Sequence, residues 1–200
     1  MNLIRKFNPQ QLYIDGVLGQ YKLGISPTTG IGGGVTGEVF HFRWTDSTRI
    51  CAIQRVAITA VTAGAQQTLD LIEWALFKAT AWTGQGTGGT VVDVSTGSNK
   101  LRSSMDNSKI ASGDIRYAPA TLGGGTKTLD ANAMSSFYAT GSGNPELACV
   151  KMIDSRIGDN EYPLVLQQNE GFVIKVPQNT VAGGFSAYSI NVDWVECSAS

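Results

Sequence analysis

Charge is scarce in this chain. Asp, Glu, Lys and Arg make up 16% of its 200 residues, with 15 basic against 16 acidic side chains and a net charge of −1. About a quarter is usual. So neutral a chain has no broad basic footprint for nucleic acid or an anionic membrane. Histidine is nearly absent: His41 is the single candidate base for any Ser-His-Asp or Cys-His mechanism. Cysteine is limited to Cys51, Cys149 and Cys197, odd in number and far apart. Without C-x-x-C spacing they argue against zinc and read as free thiols of a protein made in a reducing compartment, a disulfide being the lesser alternative. Long apolar runs are missing as well. None approaches the ~18 to 20 residues that a membrane helix needs, and no apolar stretch follows Arg5 and Lys6 as a signal peptide requires.

What the chain has is glycine, 24 residues of it, and short apolar stretches between turns. That composition suits many short strands and not amphipathic helices. The clearest segment is the last. From Phe185 to Glu196, Tyr188, Ile190, Val192 and Trp194 alternate with Ser189, Asn191 and Asp193. Period-two patterning of this kind marks a strand with one buried face in an antiparallel sheet. Before it, Pro163–Leu166 and Phe172–Val176 flank Gln168-Asn169-Glu170-Gly171 and predict a hairpin whose glycine takes the positive φ. Gly183-Gly184 then turns the chain into the last strand.

Earlier segments follow the same pattern. Phe40, Phe42 and Trp44 alternate with His41 and Arg43, and Arg49 to Val61 is a β-branched run. Leu69 to Trp82 carries good helix formers but no caps, and its Thr-rich flanks favour a strand. Further strands are expected at Thr90–Val94, Ile110–Tyr117, Thr126–Ala131 and Leu147–Ile153, with a short helical turn at Lys100–Ser104. Roughly eight strands predict an all-β fold, an antiparallel β-sandwich of jelly-roll type over residues 38–200. Residues 1–37 lack a period and hold eight glycines. They read as an extended N-terminal arm that orders against a neighbouring subunit, since Leu12, Tyr13, Ile14, Val17, Leu18, Tyr21 and Leu23 are too apolar for a plain linker.

Candidate sites weigh lightly. Gly84, Gly86 and Gly89 match G-x-G-x-x-G, but a dinucleotide loop must open a helix, and here Thr90-Val91-Val92 follows. His41 lies opposite Phe40 and Phe42 beside Arg43 and reads as a solvated or interface histidine. Asp154, Asp159 and Glu161 lack the spacing of a calcium loop and read as solvated acids. Arg49, Arg55, Arg102 and Arg116 suit ion pairs across subunits. The expectation is a non-enzyme with no cofactor and no metal.

Several stretches together resemble a family of tailed-bacteriophage virion proteins. They are Val39 to Arg49, Gly86 to Thr90, Asn99 to Met105, Asp114 to Arg116, Pro163 to Ile174 and Val192 to Glu196. The resemblance implies a structural protein of the particle, a sandwich that decorates or cements the head shell, with no catalytic residues. Expected partners are the chain itself, as a homotrimer, and the major capsid protein or other virion proteins, with no nucleic acid and no membrane. Its expected place is the capsid surface, after assembly in the host cytoplasm. Interface residues are expected at Leu12, Tyr13 and Tyr21 in the arm and at Arg43 and Arg49. The alternative is a glycan-binding module of a head fibre or tail, with Trp82 as its aromatic; a hydrolase using Asp154, Asp159 or Glu161 is a third reading.

Overall fold

The computed structural model describes residues 17–63, 70–141, 146–155, 162–180 and 185–198. Among them there are thirteen strands and no helix. The first five are β1 (Val17–Ile25), β2 (Ile31–Gly32), β3 (Gly37–Trp44), β4 (Arg49–Ala63) and β5 (Asp70–Thr80). Four short or edge strands follow: β6 (Thr90–Val92), β7 (Ile115–Tyr117), β8 (Thr128–Leu129) and β9 (Ser135–Gly141). The last four are β10 (Glu146–Asp154), β11 (Leu164–Leu166), β12 (Glu170–Val176) and β13 (Phe185–Ser198).

They form two antiparallel sheets packed face to face. The first sheet runs β1-β13-β4-β10, with β2 beside β13 and β11 beside β4; the second runs β6-β7-β3-β12-β5-β8, with β9 also on β5. The first is centred on the long pairing of β13 with β4, from Phe185 opposite Ala63 to Ser198 opposite Arg49. The alternation expected of β13 is present: Tyr188, Ile190, Val192 and Trp194 are buried while Ala187, Ser189, Asn191 and Asp193 face outward. Within the stretch 69–82 the described residues Asp70–Thr80 form a strand, β5, as the Thr-rich flanks predict.

Aromatic rings join the layers. Phe42 of the second sheet meets Trp194 of the first edge-on at 5.5 Å, and Trp74 meets Tyr188 at 5.1 Å. Phe42 also stacks on Phe172 at 5.2 Å within its own sheet. Such pairs add about 0.5–1.5 kcal/mol each beyond the area they bury.

Three expectations are corrected. The arm does not extend to residue 37: β1 pairs with β13 from Val17 opposite Cys197 to Ile25 opposite Ile190, and β2 adds Ile31 and Gly32 to the same sheet. The described sandwich therefore begins at Val17, because Tyr21, Leu23 and Ile25 fall at period two and bury one face. The hairpin expected at 163–176 does not form either. β11 pairs with β4 in the first sheet, whereas β12 sits between β3 and β5 in the second, so the chain crosses from one sheet to the other. Asn169, with φ 62°, takes the left-handed turn position. Gly171 serves close approach instead: a Cβ there would lie 2.2 Å from the Phe42 carbonyl oxygen and 2.9 Å from the Trp82 ring. Finally, Lys100–Ser104 holds turns and bends and no helix. The Gly183-Gly184 turn lies outside the described residues.

Candidate functional site

The outer face of the second sheet is covered, and this decides the fate of its polar residues. After β5, the segment from Trp82 to Gly89 folds back over that face, where Trp82 packs with Ala79 and Val173, joined by Phe77 and Leu129. The glycine run opens into β6 and not into a helix, so no phosphate cradle forms at Gly84, Gly86 and Gly89. Gly86 is pressed against His41: a Cβ there would lie 2.5 Å from Nδ1.

His41 is consequently 1% exposed, not solvated as its sequence position suggested. Its Nε2 lies 2.6 Å from Glu38 Oε2, and Lys127 Nζ donates to the same oxygen at 2.7 Å. Lys127 also donates to the Gly124 carbonyl and stands 4.7 Å from the centre of the Trp82 ring. With Nε2–H donating to Glu38, Nδ1 is the bare nitrogen, buried and without a hydrogen-bond partner. Burial pushes the His41 pKa down, against the pull of Glu38. For Glu38 burial acts upward, but the hydrogen bonds from His41 and Lys127 outweigh it and hold the carboxyl below its ordinary range. The arrangement is a neutral histidine locking a carboxylate–ammonium pair beneath the loops.

Two arginines expected at an interface are engaged within the chain. Arg43 grips the buried Asp114, with Nε and Nη2 each 2.8 Å from Oδ1, while Thr45 and Gln85 donate to the same carboxylate. Arg49 reaches Asp106 Oδ2 at 2.6 Å and Glu196 Oε2 at 3.3 Å. Arg116 likewise donates to the carbonyls of Gly113 and Gly88. Tyr21 is in the core, fully buried, stacked on Trp194 at 5.3 Å with its hydroxyl donating to the Asp106 carbonyl at 2.8 Å. Its role is packing within the subunit, which corrects the interface expectation. Leu12 and Tyr13 lie outside the described residues.

Glu196 was not anticipated. Period two continued from Trp194 puts it on the core face, and it is fully buried there. Its carboxylate accepts from Ser108 Oγ at 2.7 Å, from the Lys109 amide at 3.1 and 3.2 Å, and from Trp194 Nε1 at 3.4 Å, besides Arg49. Burial raises its pKa, and these donors offset the rise in part. Together they pin the loop 106–110 to the end of the sandwich, beside an open cleft of about 610 Å³ lined by Arg49, Ser95, Asp106, Ser108 and Lys109. Ser108 has a carboxylate but no imidazole, since the single histidine is committed to Glu38 on the other sheet. That is the wiring of a structural latch. Among the described residues no three His, Cys, Asp or Glu side chains converge as a metal site. Asp154 pairs with Lys151 at 2.7 Å, while Asp159 and Glu161 lie outside the described residues.

The outer face of the first sheet is different. Its cross-strand rows include Ala187–Val61–Leu147, Ser189–Thr59–Cys149 and Asn191–Ala57–Lys151, followed by the charged row Lys22–Asp193–Arg55–Asp154. Short side chains make the surface flat, and Leu147 and Phe185 are 67% and 53% exposed on it. Cys149 is exposed, with its Sγ 3.4 Å from Thr59 Oγ1. Trp82, by contrast, is 1% exposed, its Nε1 donating to the Gly84 carbonyl, so it offers no ring to a sugar. Comparison with protein-family models, with curated proteins and with solved structures finds no match.

Proposed function

We propose that this chain is a structural, non-catalytic component of a bacteriophage virion, most concretely a capsid decoration (cement) protein built on a jelly-roll-type sandwich. The observation that carries the reading is the outer face of the first sheet. Over its Ala187–Val61–Leu147 and Ser189–Thr59–Cys149 rows it is uncharged, and there it presents Leu147 and Phe185 to solvent with Val61 half-buried, while the charged row Lys22–Asp193–Arg55–Asp154 lies at the other end. Apolar surface of this kind marks a place where protein meets protein. The strongest ion pairs, at Arg43, Arg49 and Lys127, are spent inside the subunit, so adhesion falls to shape and apolar contact. The stretches that resemble phage virion proteins supply the identity of the partner, a capsid shell. Many copies then add weak contacts into a strong hold, with neighbouring subunits, as trimers, linked through sandwich faces and N-terminal segments. The glycan-binding alternative loses its named aromatic with Trp82 buried.

The test is cosedimentation of the purified protein with phage heads that lack it. Saturable binding, weakened by Leu147→Asp in a protein that still melts cooperatively, is the expected result. Absence of binding at any concentration would overturn the reading.

A further inference from the structure

Charge on the outer face of the first sheet gathers at one end and is ordered by sign. Across β1, β13, β4 and β10 the row there reads Lys22–Asp193–Arg55–Asp154: plus, minus, plus, minus. Tyr21, Leu23, Val56 and Val192 belong to the core, so period two turns Lys22, Arg55 and Asp193 outward. Cross-strand neighbours of opposite sign ordinarily pair with each other. Here Asp193 and Arg55 stand directly opposite, yet Asp193 Oδ1 and Arg55 Nε are buried without a hydrogen-bond partner. Among the described residues neither side chain makes an ion pair, and nor does Lys22. Other charges are committed within the subunit: Arg43 to Asp114, Arg49 to Asp106 and Glu196, Lys127 to Glu38, and Lys151 to Asp154. Arg55 and Asp193 are half-buried, so they have lost part of their hydration without gaining a counter-charge.

The row supplies its own complement. Turned over about a two-fold axis parallel to the strands and passing between β13 and β4, it meets itself in reverse order. Arg55 then faces the partner subunit's Asp193, Asp193 faces the partner's Arg55, and Lys22 faces the partner's Asp154. A two-fold axis along the row would set each charge against its own copy, so the order of signs selects the first axis. Aligned sheets cross at about 30° and lie about 10 Å apart. The reciprocal pairs of Arg55 and Asp193 stand next to the axis, where that angle displaces them least. Every other row also meets its own copy. The row containing Asn191, Ala57 and Lys151 includes Gly24 on β1, so Lys151 comes over the partner's Gly24, which has no side chain to obstruct it. Four strands at about 4.8 Å and five outward rows at about 6.7 Å give roughly 600 Å² per copy. Roughly 1,200 Å² in all is the low end for a specific contact, so the association is weak and reversible.

We propose that the outer face of the first sheet is a self-association surface, joined to the same face of a second copy through reciprocal Arg55–Asp193 pairs. The inference concerns the free protein and does not depend on the virion reading. Where a shell is present, its proteins compete with the second copy for this face.

Sedimentation equilibrium of the full-length protein over a concentration series tests it. The mean mass of the native particle should rise reversibly with concentration, whatever number of chains it starts from. Arg55→Asp sets acid against acid across the axis and Asp193→Arg sets base against base. Each variant alone should therefore associate at least about tenfold more weakly. An equimolar mixture of the two variants restores opposite charges at both contacts and should regain the native rise. Mixing cannot restore an ion pair inside one subunit, so the mixture separates contact between copies from a local effect on the fold. Ser189→Arg, on the same face, should block close approach and abolish the rise while leaving the charged row intact. Cooperative melting of each variant shows that the sandwich is intact. A native mass that stays constant at every concentration would overturn the proposal. Variants that associate like the native protein, or a mixture of folded variants that does not associate, would also overturn it. No capsid enters this assay, so its failure and that of the virion reading are distinguishable.

Discussion

Replacing Glu196 by alanine tests how the sandwich end is held. The change removes a carboxylate that is fully buried and accepts from Ser108, Lys109, Trp194 and Arg49. Removing one partner of a buried ion pair costs about 3–5 kcal/mol. The lower end applies here, because Arg49 keeps Asp106 at 2.6 Å and the open cleft lets water reach Ser108 and Lys109. Trp194 Nε1–H, deep in the core, has no such relief, and one unsatisfied donor accounts for about 1–3 kcal/mol of the total. A loss of about 3 kcal/mol should lower the melting temperature of a 200-residue protein by about 6–12 °C. Scanning calorimetry reads this directly, and limited proteolysis should show earlier cleavage in the loop 106–110. A loss below about 1 kcal/mol would refute the latch, since it would mean that the donors are satisfied without the carboxylate. The pH dependence adds a second check through Glu196→Gln. Burial raises the folded-state pKa of Glu196, so the protonated form is the one folding favours. That contribution is fully present below the unfolded carboxyl pKa and is lost as pH rises through the higher folded value. The stability of the native protein relative to Glu196→Gln should therefore improve as pH falls through that window.

His41 works in the opposite sense. Its folded pKa is lowered, so its contribution is fully present above the unfolded imidazole value near 6.5 and is lost as pH falls through the folded one. Amide exchange in the loop 84–89 should quicken over that acid range, and His41→Gln should flatten the response. Gly171→Ala forces a Cβ to within 2.2 Å of the Phe42 carbonyl oxygen, so about 1–3 kcal/mol or more of stability should be lost in denaturant titrations. Light scattering behind size exclusion should give a particle of three 21.2 kDa chains, and a monomer at all concentrations would contradict a preassembled trimer.

Legibility in the sequence followed which interactions were local. β13 and β3 announce themselves because one face of each is core and the other is not, so the side-chain period survives in the residue order. β1 was hidden: Gly19 and Gly24 interrupt its pattern, and its partner lies more than 160 residues away. The crossing between β11 and β12 imitates a hairpin because Gln167–Asn169 is a tight turn in either case; only the strands it feeds differ. His41 and Arg43 lie on an outward face, as their parity said. That the face is buried depends on loops around Trp82 and Lys127, which no period encodes. Glu196 could have been found by carrying the β13 alternation two residues past Trp194, where a carboxylate on the core side demands buried partners.

The role proposed for this protein is to hold a capsid shell together. Its most direct test is the temperature at which decoration-free phage heads release their DNA, with and without saturating protein. The expected result is a clear rise in rupture temperature that follows occupancy and is lost with Leu147→Asp. Heads that bind the protein to saturation yet rupture at an unchanged temperature would contradict it.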